Sequence, residues 1–176
     1  FYFDIRKDCL YCDDLGSKKR KSTIKILNII LNALLKWFAP ILSFTTEEIF
    51  QLVLKKKKSI HLEKFLNFPK KFENSELNLK WQKLLKIRDI CNLSIEDKRA
   101  KKIIGSSLEA SLKIKLTKND LKVIKGIDLS ELFITSSVAV EEGEYDQTTV
   151  ETKKAKGEKC PVCWKISLSP CERHKV

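Results

Sequence analysis

The last eighteen residues, Lys159–Val176, constrain this chain more than any other stretch. A block that short cannot bury enough apolar surface to fold unaided and needs a staple. Cys160-Pro161-Val162-Cys163 and, after a seven-residue loop, Cys171-Glu172-Arg173-His174 offer one. A two-residue gap lets a tight turn aim two side chains at a single ion. Three thiolates and one imidazole then suit tetrahedral Zn²⁺. Backbone amides in such turns help neutralise the thiolates, and metal binding supplies the missing folding energy. Cys160, Cys163, Cys171 and His174 are therefore the expected ligands, with Pro170 stiffening the entry to the second pair. The competing reading is free cysteines near a frayed terminus. Four protein ligands would leave no open position for a catalytic water, so the site reads as structural.

The remaining cysteines carry less. Six in 176 residues are too few for a disulfide scaffold and fit a reduced, cytoplasmic setting. Cys9-Leu10-Tyr11-Cys12 repeats the two-residue gap, but in a helical-looking segment with no second pair nearby. A redox dithiol would sit at a helix start within a βαβ context, so Cys9 and Cys12 read as small core residues. Cys91 lies on an apolar stripe and reads the same way, and His61 reads as a structural histidine. The sequence holds no GxGxxG, no phosphate-cradling glycine loop and no nucleophile elbow. With His174 given to a metal, no catalytic residue is expected in this chain.

Charge points to a polyanion. Lys and Arg number 35 against 23 Asp and Glu, a net charge of +12. Each phosphate neutralised by a cation releases a counterion, so binding of this kind is salt-sensitive. The cations run together at Lys18–Lys21, Lys55–Lys58, Lys98–Lys102 and Lys153–Lys156, with an acidic patch at Glu141–Asp146. Solvated helix ends and linkers, or Lys-rich coding, explain any single run equally well. No window holds the ~20 uncharged apolar residues that cross a bilayer, which argues against a membrane partner. The sequence also lacks methionine and opens on Phe1-Tyr2-Phe3, from which a piece of a longer polypeptide is expected.

Periodicity outlines the fold class, mainly α with a small α/β piece. Ile24, Leu27, Leu31, Leu34 or Leu35, and Phe38 predict a helix over 22–38, capped by Ser22 or Thr23 and ended near Ala39 by Pro40. Thr45 and Glu48 form a capping-box pattern that opens a second helix through Leu54. Residues 59–76 read as irregular, and a third helix covers 77–101 with Leu77, Trp81, Leu84 or Leu85, Arg88 and Cys91 on its stripe. Ala110, Leu112, Ile114 and Leu116 then alternate with polar residues as in a half-buried strand, and Leu132–Val140 is a second strand candidate. Residues 121–127 suggest a short helix or a turn. The expected division is a helical bundle over 1–101, a two-strand module over 102–140, a linker over 141–158 and a zinc-binding tail over 159–176.

Several segments together resemble a known family. FYFDIRKDCLYCD, KWFAPILSFTTEEIF, WQKLLKIRDICN, KKIIGSSLEASL, ELFITSSVAV and KAKGEKCPVCWK occur in this order. They resemble the C-terminal third of bacterial isoleucyl-tRNA synthetases, class I ligases that join isoleucine to its tRNA through an adenylate. IGSSLEA with GEKCxxCW is the specific combination, and the match covers essentially the whole chain. The resemblance implies that the bundle binds the anticodon arm of tRNA(Ile). It also implies a catalytic domain of the same, monomeric parent that uses ATP and Mg²⁺ and carries HIGH and KMSKS signatures, together with an inserted editing domain. None of these is in this sequence. Cys9 departs from a position that is commonly basic in the family. His174 stands where many relatives place a fourth cysteine, and histidine is itself a competent zinc ligand. The alternatives are a free zinc-dependent RNA-binding module or the equivalent piece of a valyl or leucyl enzyme.

RNA loops are read by stacking bases on aromatic or arginine planes. Trp164 follows Cys163 directly, with Lys165 beyond it and Arg173 between the later ligands, so a rigid knuckle could present Trp164 for stacking. Trp164 could equally cover the metal or dock on the α/β piece. Arg88, seven residues after Trp81, is a candidate phosphate contact.

Overall fold

The computed structural model describes residues 1–55, 58–141 and 143–174, so Lys56, Lys57, Glu142 and the last two residues of the tail lie outside the described residues. The described chain forms two compact units, Asp13–Glu73 and a larger one made of Phe1–Cys12 with Asn74–Val176. This division does not coincide with the expected boundary at 101, because the first helix and residues 74–101 both join the C-terminal part. About half of the described residues are helical, beside a three-stranded sheet and a two-stranded hairpin.

In the smaller unit, α2 (Lys18–Phe38) starts a turn earlier than its apolar stripe. Its cap is Ser17, whose hydroxyl accepts from the Arg20 amide, rather than Ser22 or Thr23. The Lys18–Lys21 turn has no apolar period to betray it, although lysine and arginine are good helix formers. After Pro40 the amides of Ile41 and Leu42 both donate to the Phe38 carbonyl, and this turn sets α3 (Ser43–Leu54) going before Thr45. No side chain caps α3, and Thr45 and Glu48 fall inside it. Glu47 instead reaches across to accept from the Ile60 amide at 2.7 Å and the Ser59 hydroxyl at 3.0 Å. Leu35, Ala39, Phe50 and Ile60 form the small core.

The larger unit is built around α4 (Ser75–Ala100), capped by Asn74. Its buried stripe, Leu84, Ile87, Cys91 and Ile95, packs on the inward residues of β1 (Ala110–Lys115), with Ala110, Leu112 and Ile114 at most 1 % exposed. The chain then passes through α5 (Lys118–Ile124) and α6 (Leu129–Leu132) before β2 (Ser137–Glu141) pairs parallel to β1. The expected strand over Leu132–Val140 is thus split. Asp128 caps α6, and Leu132 and Phe133 plug the core from a turn, so only the second half of the apolar run is extended.

The segment read as a linker contains β3 (Thr149–Lys154), antiparallel to β1, which makes the module three-stranded in the order β2-β1-β3. Its inward positions are Val150 and Thr152, and the Thr152 hydroxyl shares a 2.6 Å hydrogen bond with Ser94 on α4. One apolar residue in six gives too weak an alternation to register as a strand. The first helix, α1 (Tyr2–Cys12), buries Ile5 and Cys9 and anchors Arg6 to Glu131 on α6 at 2.8 Å. No helix among the described residues is long and apolar enough to cross a membrane.

Candidate metal centre and its cleft

The tail forms a hairpin of β4 (Glu158–Lys159) and β5 (Ile166–Ser167) around the first cysteine turn. Gly157 allows this closure. Its φ is +116°, and a Cβ there would meet the Ser167 carbonyl oxygen at 2.0 Å, so no other residue fits. Within the hairpin the Cys160 amide donates to the Lys165 carbonyl and the Trp164 amide to the Cys160 carbonyl. The Ile166 amide reaches the Ser136 hydroxyl at 2.6 Å, which ties the hairpin to the sheet module.

One donor atom each from Cys160, Cys163, Cys171 and His174 lies within 4.8 Å of every other. His174 Nδ1 sits 3.5 Å from Cys160 Sγ and 3.4 Å from Cys171 Sγ, and Cys163 and Cys171 place their sulfurs 3.9 Å apart. A tetrahedral zinc with bonds of about 2.3 Å to sulfur and about 2.0 Å to nitrogen requires edges of roughly 3.8 and 3.5 Å. The four residues thus fit such an ion in both chemistry and spacing.

Amides supply the field a thiolate needs. The Cys163 amide pulls the Cys160 thiol down to about 6, with the Val162 amide adding to it against the cost of burial. At Cys171 burial opposes ionisation, but the amides of His174 and Arg173 outweigh it and hold the thiol below its usual value. Burial pushes Cys163 up to about 11 despite the Lys165 amide, leaving this sulfur most in need of a cation. His174 turns its other nitrogen outward. Nε2 donates to the Cys12 carbonyl at 2.7 Å, which raises the imidazole's proton affinity and leaves Nδ1 facing the sulfurs.

The other cysteines differ from one another. Cys9 is 1 % exposed and Cys91 fully buried, both as expected for core. Cys12 is only half-buried and its thiol donates to the Val162 carbonyl at 3.6 Å, so it touches the knuckle rather than the core. The spacing of Cys12 gave no hint of this, because the contact spans 150 residues.

Beside the centre lies a largely apolar cleft of about 510 Å³, lined among others by Tyr11, Arg88, Ile134, Val162, Trp164 and Lys165. Trp164 is 58 % exposed, in the left-handed region at φ +63°, with the Lys159 ammonium 5.4 Å from its ring centre. The structure therefore brings Trp164, Lys165 and Arg88 to one cleft. The Arg88 guanidinium already donates to the Leu132 carbonyl and lies over the Phe1 ring, and Arg173 is bound to Asp8 at 2.7 Å. Tyr11, 82 % exposed and also lining the cleft, is an aromatic the sequence had not singled out. Among the basic runs, Lys98, Arg99 and Lys101 are matched by Asp97 and Glu96.

Helices leading into a small sheet that ends on a Cys/His knuckle outline a helical binding module with a stapled tail. The model of the family described as the anticodon-binding domain of tRNA ligases matches residues 1–115, and the chain belongs to that family. It is 61 % identical to an isoleucine–tRNA ligase of Pelagibacter ubique over 99 % of its own length and 19 % of the relative's. Isoleucine–tRNA ligases of Agrobacterium fabrum and Bradyrhizobium diazoefficiens are 38 % and 40 % identical, each over 95 % of this chain and 18 % of theirs. The chain spans about a fifth of the length of these relatives.

Proposed function

We propose that the chain is the tRNA-binding C-terminal part of an isoleucine–tRNA ligase and recognises the anticodon arm of tRNA(Ile). The observation that carries this reading is the 61 % identity to such a ligase along virtually the whole chain. Ligation with ATP and Mg²⁺ belongs to a catalytic domain of the same parent chain, which we take to be a cytoplasmic monomer. This segment supplies affinity and discrimination.

Zinc is the metal we assign to Cys160, Cys163, Cys171 and His174, with a structural role: when bound it cross-links the two turns. The residues around it do the binding. Trp164 offers a base a stacking face, Lys165 and Lys159 place cations where phosphates pass, and Arg88 and Arg173 fix the walls through Leu132 and Asp8. The left-handed backbone of Trp164 supports this assignment. A bulky side chain in that region is costly, and here it holds the ring out of the core.

Titration of the chain with tRNA(Ile) and tRNA(Val) transcripts tests the reading. Tighter binding of tRNA(Ile), falling steeply with salt, is expected. Trp164→Ala should weaken it by ~1–3 kcal/mol while zinc content holds. Equal affinity for both tRNAs would count against the isoleucine assignment, and unchanged affinity of the tryptophan variant against the stacking role.

A further inference from the structure

The metal centre has an outer partner at the opposite end of the chain. His174 Nε2 donates to the carbonyl of Cys12, the last residue of α1, at 2.7 Å. One residue earlier, Arg173 Nη1 lies 2.7 Å from Asp8 Oδ2, and Arg173 Nη2 reaches the Asp8 carbonyl at 3.5 Å. The Cys12 thiol adds its contact to the Val162 carbonyl. All three come from the last five residues of α1 and meet both metal-binding turns across 150 to 165 residues of sequence.

The first half of α1 is held differently. Phe1 packs edge-on against Trp81 at 5.6 Å, Arg88 covers the Phe1 ring, and Arg6 pairs with Glu131. These partners lie on α4 and α6 rather than on the metal-binding turns. The helix thus has two independent anchorages, only one of which depends on the tail.

We propose that the last turn of α1 is the outer shell of the metal centre, a clasp that closes when metal fixes His174. A metal-bound imidazole is oriented by what its second nitrogen donates to, and such partners change metal affinity severalfold or more. A helix C-terminus presents carbonyls with no partner inside the helix, and its dipole favours a positively polarised N–H. The Cys12 carbonyl meets both conditions, and Asp8 is the positioning residue that holds Arg173 and thereby the second turn. Because Tyr11 lies on this turn and Trp164 on the knuckle, the clasp also sets the two aromatic walls of the cleft. The inference rests on the assignment of a metal to the tail.

Amide-resolved hydrogen exchange on the full chain, zinc-loaded and after chelation, tests it. Chelation should speed exchange at Cys9–Cys12 along with the knuckle at least tenfold, leaving Ile5–Lys7, α4 and β1 unchanged. Rates at Cys9–Cys12 that ignore zinc, or that rise only together with α4 and β1, would overturn the clasp while leaving the metal site intact. If the chain takes up no zinc, the metal assignment itself fails. As a second arm, zinc competition with a chromophoric chelator should show Asp8→Ala and Arg173→Ala each weakening affinity about three- to tenfold, with no further loss in the double variant. Additive losses, or none, would refute the Asp8 role.

Discussion

Two stretches of this molecule place cysteines at the same spacing and use them in unlike ways. In α1, Cys9 and Cys12 sit on a helix whose amides are committed to the carbonyls four residues back. No N–H is left to turn toward a sulfur, so Cys9 donates to the Arg6 carbonyl in the core and Cys12 reaches outward to Val162. In the tail, the amides of Val162 and Cys163 turn onto Cys160, and those of Arg173 and His174 onto Cys171. Spacing brings side chains near each other; free backbone amides make thiolates of them. The two stretches then meet, since the helical one lends the other its terminal carbonyl.

The largest expected effect comes from exchanging roles between them. Cys160→Ser or Cys163→Ser should abolish zinc binding and unfold the knuckle, whereas Cys9→Ser should leave one zinc bound, by metal analysis of the purified variants. A chain that keeps its zinc without Cys160 would erase the contrast. Next is Gly157→Ala, which drives a methyl into the Ser167 carbonyl. It should cost about 3 kcal/mol of knuckle stability, read as lost exchange protection over 158–167 with the α4 core unchanged.

A third test contrasts thiol burial with thiol cradling. Cys91, enclosed in the core, has its thiol pushed up to about 12 by burial alone, from an ordinary value of 9.0. The unfolded chain therefore releases this proton above pH 9 while the folded chain keeps it, so stability should fall between pH 9 and 12 by about 1.4 kcal/mol per pH unit. Cys91→Ala should flatten that slope in denaturant titrations. The smallest effect is expected at Trp164. Trp164→Gly relieves the left-handed backbone and should stabilise the knuckle by about 1 kcal/mol while weakening tRNA binding; a destabilised knuckle would mean that the indole serves packing instead.

The cluster of Cys160, Cys163, Cys171 and His174, together with α2 to α4 and β1, was legible because each is written in local spacing: two-residue gaps, a 3.6-residue period or strict alternation. Elements defined by distant partners were not. β3 carries one apolar residue and is a strand because β1 and Ser94 receive it. α6 interrupts LFITSSVAV because Asp128 caps it and Phe133 is needed in the core. Gly157 stood in plain view within GEKC, yet its necessity lies in Ser167, ten residues away. Asp8 and Cys12 gave no signal, since their partners are at the other end of the chain.

Zinc-edge X-ray absorption on the purified, metal-loaded chain tests the centre of this account most directly. Three sulfurs at about 2.3 Å and one imidazole nitrogen at about 2.0 Å are expected. Four sulfurs, which would admit Cys12 in place of His174, or a shell of oxygens and nitrogens would contradict it.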